Sequence, residues 1–526
     1  MRYVIGSGPA GVACAHALVQ KGLDVTIIDA GLELEPERRE VVEQLSKSQS
    51  QEWDAARLNF IRQGMAIESK GVPLKLIYGS DFPYRETDKY IPIVQEGVES
   101  NPSLAKAGLS NVWGAGLLPY LQSDIADWPI STADLAPHYE SVLSFMPFSA
   151  VKDDLESLFP LYGSNYQKLC PSKQAIALIE DLKRNQNRLE AQGFKFGYSR
   201  LAIRTQPKTN DFGCVYCGLC MYGCPYGLIY NTSSTLEQLK QAKNFNYIKD
   251  VVVQKIVESN GSATIVARSR ITDESLNFEA EKVYLACGVL STTKIILESL
   301  QAYDRALSIK DSQYFLLPFL RYKNIKDIVN EKLHTLAQVF IELFDKSLSE
   351  HTIHLGIYTY NDLYLSFIQK ITGSLYPLFK IPTEELLGRL MVIQGYLHSD
   401  ISPTISVRLE KNSGESTSKL ILSANQNDLT KKVIRGVIAK LLSQQKYLKG
   451  IPIPQLLRIA KAGRSFHSGG VFPMRLNPSD FESDILGRPL GFEKVHVVDA
   501  TVFPSIPATT ITLTVMANAH RIASNS

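Results

Sequence analysis

The chain has no uninterrupted apolar run of about 18 residues, so its hydropathy offers no bilayer-spanning helix. Neither sign of charge is in excess. The 56 Lys+Arg stand against 53 Asp+Glu, a formal +3, and no chain-wide field points to nucleic acid or an acidic surface. Seven cysteines among 526 residues are too few for a disulfide-stapled scaffold, and a hydrophobic content of 44% is too high for intrinsic disorder. No leader is visible: the chain opens MRYVIGSGPAG, an apolar strand signal with no basic segment or cleavage site before it. The expectation is a soluble cytoplasmic protein whose thiols stay reduced. Its length corresponds to about three domain equivalents at about 150 residues each.

What is there begins with that opening. Tyr3-Val4-Ile5 reads as a buried strand, Gly6-Ser7-Gly8-Pro9-Ala10-Gly11 as a glycine turn, Val12 to Gln20 as a helix, and Asp24 to Asp29 as a second strand ending in an acid. In such a βαβ unit the first glycine permits the turn, the second lets backbone approach a pyrophosphate, and the third lets helix and strand pack. Asp29, 18 residues after Gly11, stands where a carboxylate accepts a ribose hydroxyl. Strand, glycines, helix and acid agree on a dinucleotide. The size of the chain favours a tightly held FAD over a nicotinamide.

Further along, a loop of small residues around Asn111, Trp113 and Gly114 suits close backbone approach to a flat ligand, with a surface loop as the plain alternative. Val251 to Glu258, which contains Val252, and Lys282 to Ala286 read as strands, the latter running through Gly288 into a helix. From 311 to 461 strands are expected at Thr335 to Leu343, Thr352 to Tyr360, Met391 to Leu397, Thr404 to Leu409 and Lys419 to Ser423, an antiparallel sheet inserted into the nucleotide domain. Asp362 to Phe379 is amphipathic; packing on that sheet is the favoured reading and contact with a membrane surface the other. Near the C-terminus, Val495 to Ala500 is a strand that ends at Asp499 and Ala500, beside the first motif.

Four cysteines fall within eleven residues. Cys214-Val-Tyr-Cys217-Gly-Leu-Cys220-Met-Tyr-Gly-Cys224-Pro225 has the C-x2-C-x2-C-x3-C-P spacing that holds iron–sulfur clusters in bacterial ferredoxins. No second run exists, so the fourth thiol must fold back onto the same centre or stay free. Structural zinc and an unmetallated loop are the alternatives, and the spacing lacks the gap between ligand pairs usual for zinc.

The order of these segments resembles the glucose–methanol–choline (GMC) oxidoreductase family. GSGPAG at 6–11, SNVWGAG at 110–116, DWPISTADLAPHY at 127–139, VYLACGVLSTTKIILES at 283–299, FHSGGVFPM at 466–474 and VVDATVFPSIPATTITLTVMANA at 497–519 carry the resemblance, which spans most of the chain. The Trp loop is most similar to the branch with pyranose oxidases and bacterial sugar dehydrogenases. The resemblance implies an α/β fold: a Rossmann-like FAD-binding domain assembled from discontinuous segments (1–130, 214–310 and 462–526), with a cap region at 131–213 and an α+β substrate domain at 311–461. It implies oxidation of a CH–OH group, FAD contacts at Gly6, Gly8, Gly11, Asp29, Asn111, Trp113, Gly114, Val252, Gly288, Asp499 and Ala500, and His467 as the active-site base. An imidazole of ordinary pKa ~6.5 can take a hydroxyl proton. The family's second active-site His or Asn corresponds to Thr510, or to Thr509 if the register shifts by one, and a hydroxyl cannot share proton transfer as an imidazole does. Related sugar dehydrogenases hold a cluster on positions matching Cys214, Cys220 and Cys224, which implies electron exit to an acceptor protein or quinone. The competing expectations are an oxygen-using oxidase without a cluster and a catalytically silent flavin scaffold.

Overall fold

The computed structural model describes residues 1–64, 72–206, 213–259, 261–411 and 418–526. A five-stranded parallel sheet forms one centre, in the order Val495–Val497, Lys282–Leu285, Arg2–Ile5, Val25–Ile28 and Phe245–Ile248. Four distant stretches of chain build it. Its strands are short and apolar because helices cover them; Pro9–Gln20 packs against Thr512–Asn525. Gly11 is forced by the close approach of the first helix to the turn before it, since a Cβ there would lie 1.9 Å from the Gly6 carbonyl oxygen. A three-stranded antiparallel meander, Val251–Ser259, Ser262–Ser269 and Ser275–Ala280, stands beside it.

The antiparallel sheet is larger than expected. Its seven strands include Tyr314–Arg321, Leu390–Tyr396, Ile353–Tyr358 and Val339–Leu343, and it also takes Phe194–Tyr198 from the segment read as a cap. Side chains alternate between its faces. Phe315, Leu317, Leu355, Ile357, Ile393 and their neighbours bury one face in a core shared with the helices Lys173–Arg184 and Asp428–Ser443. The register sends Tyr314, Tyr396, His354 and Glu342 to the opposite face. Thr404–Lys411 and Ser418–Asn425 leave this sheet altogether and pair with Leu307–Asp311, Ser468–Gly469 and Ile93–Glu96 in a separate five-stranded sheet.

The favoured reading of Asp362 to Phe379 as a helix packed on the sheet needs correction. The segment forms a helical hairpin, Asp362–Thr372 and Tyr376–Leu387, that leaves Ile371, Leu378 and Ile381 at 68%, 78% and 76% exposure. Apolar residues surround the hairpin, and one packed face cannot take them all. Its root packs on the cysteine loop: Leu363 clusters with Leu219 and Tyr222, and the Tyr222 hydroxyl donates to Asp362 at 3.0 Å. Among the described residues, no helix is long and apolar enough to cross a membrane.

Candidate active site

A cleft of about 540 Å³ opens at the carboxyl ends of the parallel strands, the usual ligand crevice of such sheets. Gly6, Gly8, Asp29, Val252, Gly288, Asp499 and Ala500 line it. Gly6 has φ +100°, and a Cβ there would meet the Ala286 carbonyl oxygen at 2.7 Å; at Gly8 the same position meets nothing within 4 Å. The turn thus leaves bare backbone and a helix N-terminus facing the cleft, where an anion is favoured. Asp29 is buried and accepts hydrogen bonds from Ser7 Oγ and, at 3.0 Å, from the Tyr247 hydroxyl. Burial pushes its carboxyl up to about 6 while the Ser7 and Tyr247 bonds pull it back. Asp499 accepts from the Gly288 N–H at 3.0 Å, Thr292 Oγ1 at 2.6 Å and the Thr501 N–H at 2.9 Å, which ties the last strand to the helix Val289–Ser299.

Gly11, Asn111, Trp113 and Gly114 stand outside the cleft lining. Their groups are spent inside the protein. The Asn111 amide donates to the Lys106 and Gly108 carbonyls at 2.9 and 2.7 Å, and Trp113 Nε1 donates to the Tyr230 carbonyl at 2.8 Å. The open side of Gly114 faces the Tyr358 hydroxyl on the antiparallel sheet, 3.4 Å from where a Cβ would be. The Trp loop therefore joins the nucleotide domain to that sheet.

His467 and Thr510 lie past the end of the cleft, next to Phe466, Ser468 and Ile511, which line it. Phe466 has φ +57°, a strained value for a non-glycine residue and one that turns the chain just before the imidazole. The ring stacks on Tyr396 from the antiparallel sheet, with centroids 4.7 Å apart and planes within 16°. Its Nδ1 is buried without a hydrogen-bond partner. Burial, and secondarily the nearby His354, pull this imidazole down to about 3, so it is neutral at ordinary pH. Thr510 is pinned elsewhere: its Oγ1 accepts the Leu118 N–H at 2.7 Å. Thr509 is fully buried and its Oγ1 has no partner.

The His467 loop hangs on Asp311, a residue that no motif singles out. This buried carboxylate accepts from the Gly463 N–H at 2.8 Å, Ser465 Oγ at 3.0 Å and Ser468 Oγ at 2.7 Å. The Ser312 N–H holds the His467 carbonyl at 3.0 Å. Burial pushes the Asp311 carboxyl from 3.8 up to about 6 against those hydrogen bonds. A group with a raised folded pKa holds more protons folded than unfolded between the two values, so stability falls as pH rises through that window. Urea unfolding at a series of pH values is therefore expected to show the parent losing up to about 3 kcal/mol between pH 4 and 6.5 relative to Asp311→Asn. A difference between the two proteins that is constant with pH would refute the assignment.

All four clustered cysteines line one small cavity, together with His334. His334 is 2% exposed and its Nδ1 has no partner. Its neighbours pin it there: Leu333 bridges Cys217, and Thr335 Oγ1 donates to the Gly218 carbonyl at 3.2 Å. Burial pushes the Cys214 and Cys217 thiols up to about 12 and that of Cys224 to about 11. Among the described residues no three of these sulfurs lie within 4.8 Å of one another, which is looser than one zinc ion with Zn–S bonds of ~2.3 Å would hold them. Hydrogen bonds and a ring stack lead from Lys75, which lies within electrostatic reach of this loop, to the cleft. Lys75, which feels Cys220, donates to the Trp113 carbonyl at 3.1 Å, the Tyr84 hydroxyl donates to the Lys75 carbonyl at 3.0 Å, and Tyr84 stacks on Phe466.

Comparison with known proteins agrees with this architecture. Residues 4–34 match the model of an NAD(P)-binding Rossmann-like domain, and residues 166–302 that of the GMC oxidoreductases. No curated protein matches the chain in sequence. Among solved structures, pyridoxine 4-oxidase from Mesorbium loti is similar at a TM-score of 0.60 and 13% identity, covering 100% of this chain and 98% of the other. A variant of Aspergillus oryzae RIB40 formate oxidase, studied for FAD modification, is similar at 0.60 and 14%, covering 99% and 97%. Residues 166–302 thus fit the GMC oxidoreductase model, and along its whole length the chain shares the fold of these two solved structures.

Proposed function

We propose that the protein is an FAD-dependent dehydrogenase that oxidises the CH–OH group of a sugar or polyol-like alcohol to a carbonyl and passes the electrons to an external acceptor. The observation that carries this reading is His467, a neutral imidazole whose Nδ1 has no hydrogen-bond partner among the described residues, held on a braced loop at the end of a dinucleotide cleft. The cleft fits FAD: the bare Gly6–Gly8 turn would hold the pyrophosphate, Asp29 a ribose hydroxyl, and Val252, Gly288, Asp499 and Ala500 the remaining length. When bound, FAD supplies the two-electron oxidant for the carbinol carbon. The chain's own part is to hold the alcohol and accept the hydrogen bond, then the proton, of its hydroxyl at His467. Thr510 keeps one O–H with which to orient the substrate.

Cys214, Cys217, Cys220 and Cys224 fit an iron–sulfur cluster, which would provide one-electron exit from the site. Four soft thiols around a closed cavity, with an orphaned imidazole beside them, support this. The exposed hairpin 362–387 next to the cysteine loop supports an acceptor of apolar character there, a protein or a quinone at a membrane surface. The two solved neighbours are oxidases, which favours the second reading, an oxygen-using oxidase without a cluster. Anaerobic mixing of the flavin-loaded protein with D-glucose, glycerol, benzyl alcohol and ethanol tests the central claim. At least one, with the polyols foremost, is expected to bleach the flavin. A protein full of FAD that none of them bleaches is a scaffold instead.

A further inference from the structure

We propose that His354, aimed by Glu342, is a second active-site imidazole and the group on which the substrate's hydroxyl proton comes to rest. The proposal deepens the alcohol-oxidising reading above and rests on it. Glu342, His354 and Tyr396 lie directly opposite one another on three adjacent strands, on the face turned away from the sheet's apolar core. His354 Nδ1 is 2.6 Å from Glu342 Oε1, with both side chains buried. A carboxylate in that position makes Nδ1 the donor and leaves Nε2 as a free acceptor, and it offsets the charge of an imidazolium once a proton arrives.

Nε2 has been left room. Gly356, two residues along the strand, has no side chain where a Cβ would come 3.8 Å from Nε2. Its backbone does not demand glycine, since it is absent from the residues with positive φ, and glycine in a strand interior weakens the strand. Glycine there leaves the space beside Nε2 unfilled, though a methyl group would fit at ordinary contact distance.

Tyr396 stacks on His467 and has its ring centroid 6.2 Å from that of His354. On the other side, Phe340 meets His354 edge-on at 4.9 Å. The open side of Gly116 is contacted by Phe340 at 3.5 Å and by Thr510 Cγ2 at 2.9 Å. Ring contacts thus link His354 to His467 through Tyr396, and Phe340 links it to the Gly116 position that Thr510 also touches. The two imidazoles differ in kind. Nothing pairs with a charge on His467, whereas Glu342 pairs with one on His354. In the step itself the O–H bond breaks as His467 takes the proton, which then passes to His354 Nε2 and rests there opposite Glu342. FAD, when bound, would supply the two-electron oxidant that takes the C–H hydrogen with its electron pair and leaves the carbonyl, and the proton held at His354 would go to solvent as the external acceptor reoxidises the cofactor.

The test is the limiting rate of anaerobic flavin bleaching by D-glucose, glycerol, benzyl alcohol and ethanol in the flavin-loaded parent and in His354→Ala, His354→Gln and Glu342→Gln. His354→Ala is expected to lower the limiting rate about 100-fold with the half-saturating concentration within about threefold, and added imidazole to restore at least about tenfold. His354→Gln fills the space without a proton acceptor and should stay as slow; Glu342→Gln should lose about tenfold. Parental rates in His354→Ala, or in His354→Gln, overturn the proposal. If His354→Ala fails to retain FAD, the Gln and Glu342 variants decide by the same rates. A parent that none of the four alcohols bleaches removes the alcohol reading and this proposal together, whereas a bleached parent with unaffected variants removes only this proposal.

Discussion

His467→Ala is expected to slow anaerobic flavin reduction by an alcohol about 1000-fold while FAD stays bound, the loss typical of removing an acid–base group that also orients its substrate. Truncation should leave the loop in place, because Asp311 holds it through Gly463, Ser465 and Ser468 and not through the imidazole. Among the described residues Nδ1 has no hydrogen-bond partner to lose, and the ring stacks on Tyr396. The expected damage is therefore to rate. Stopped-flow absorbance separates it from binding, since the flavin band reports occupancy before substrate is added. The sign of the pH effect follows from burial. An imidazole pulled down to about 3 is protonated only below that value, so His467 contributes no acid limb to the rate above about pH 4. Parental speed in the variant would move the base elsewhere, with His354 the nearest imidazole on the same face.

What the sequence disclosed and what it hid divide along one physical line. The βαβ opening is local: glycines that need φ +100° or a bare Cα, a strand on either side and an acid at the strand end lie within thirty residues. The His467 and cysteine segments are local too. Glu342 and His354 are twelve residues apart on different strands, and their meeting depends on a register that only the folded sheet fixes. Asp311 is as hidden, being one acid at the end of a strand whose partners lie some 150 residues away. The Trp loop divides. Gly108 and Leu109 line the cleft beside the Gly8 turn, while Gly114 approaches the antiparallel sheet. The hairpin 362–387 reads as amphipathic because it is rich in apolar residues, yet the fold leaves Ile371, Leu378 and Ile381 exposed.

The cysteine loop carries the other large effect. The purified parent is expected to contain iron and acid-labile sulfide, and Cys220→Ser to contain neither, with flavin content and the rate of bleaching by alcohol within about twofold of the parent. The two sites are separate enough for this. Cys220 lines the small cavity and does not line the cleft, and from Lys75, within electrostatic reach of Cys220, hydrogen bonds and a ring stack lead through Trp113, Tyr84 and Phe466. Cys214→Ser and Cys224→Ser should behave alike, while Cys217→Ser tells a three-thiol centre from a four-thiol one by whether iron survives. Proton linkage adds a second readout. Burial holds Cys214, Cys217 and Cys224 as neutral thiols up to about 11 or 12, and each must give up its proton to bind iron. Reconstitution of the iron-free protein with ferrous iron and sulfide should therefore be more complete at pH 8.5 than at pH 6.5. A parent with full flavin and no iron leaves the thiols a structural loop. Dioxygen then becomes the expected acceptor, and oxygen consumption with a bleaching alcohol should match the rate of turnover.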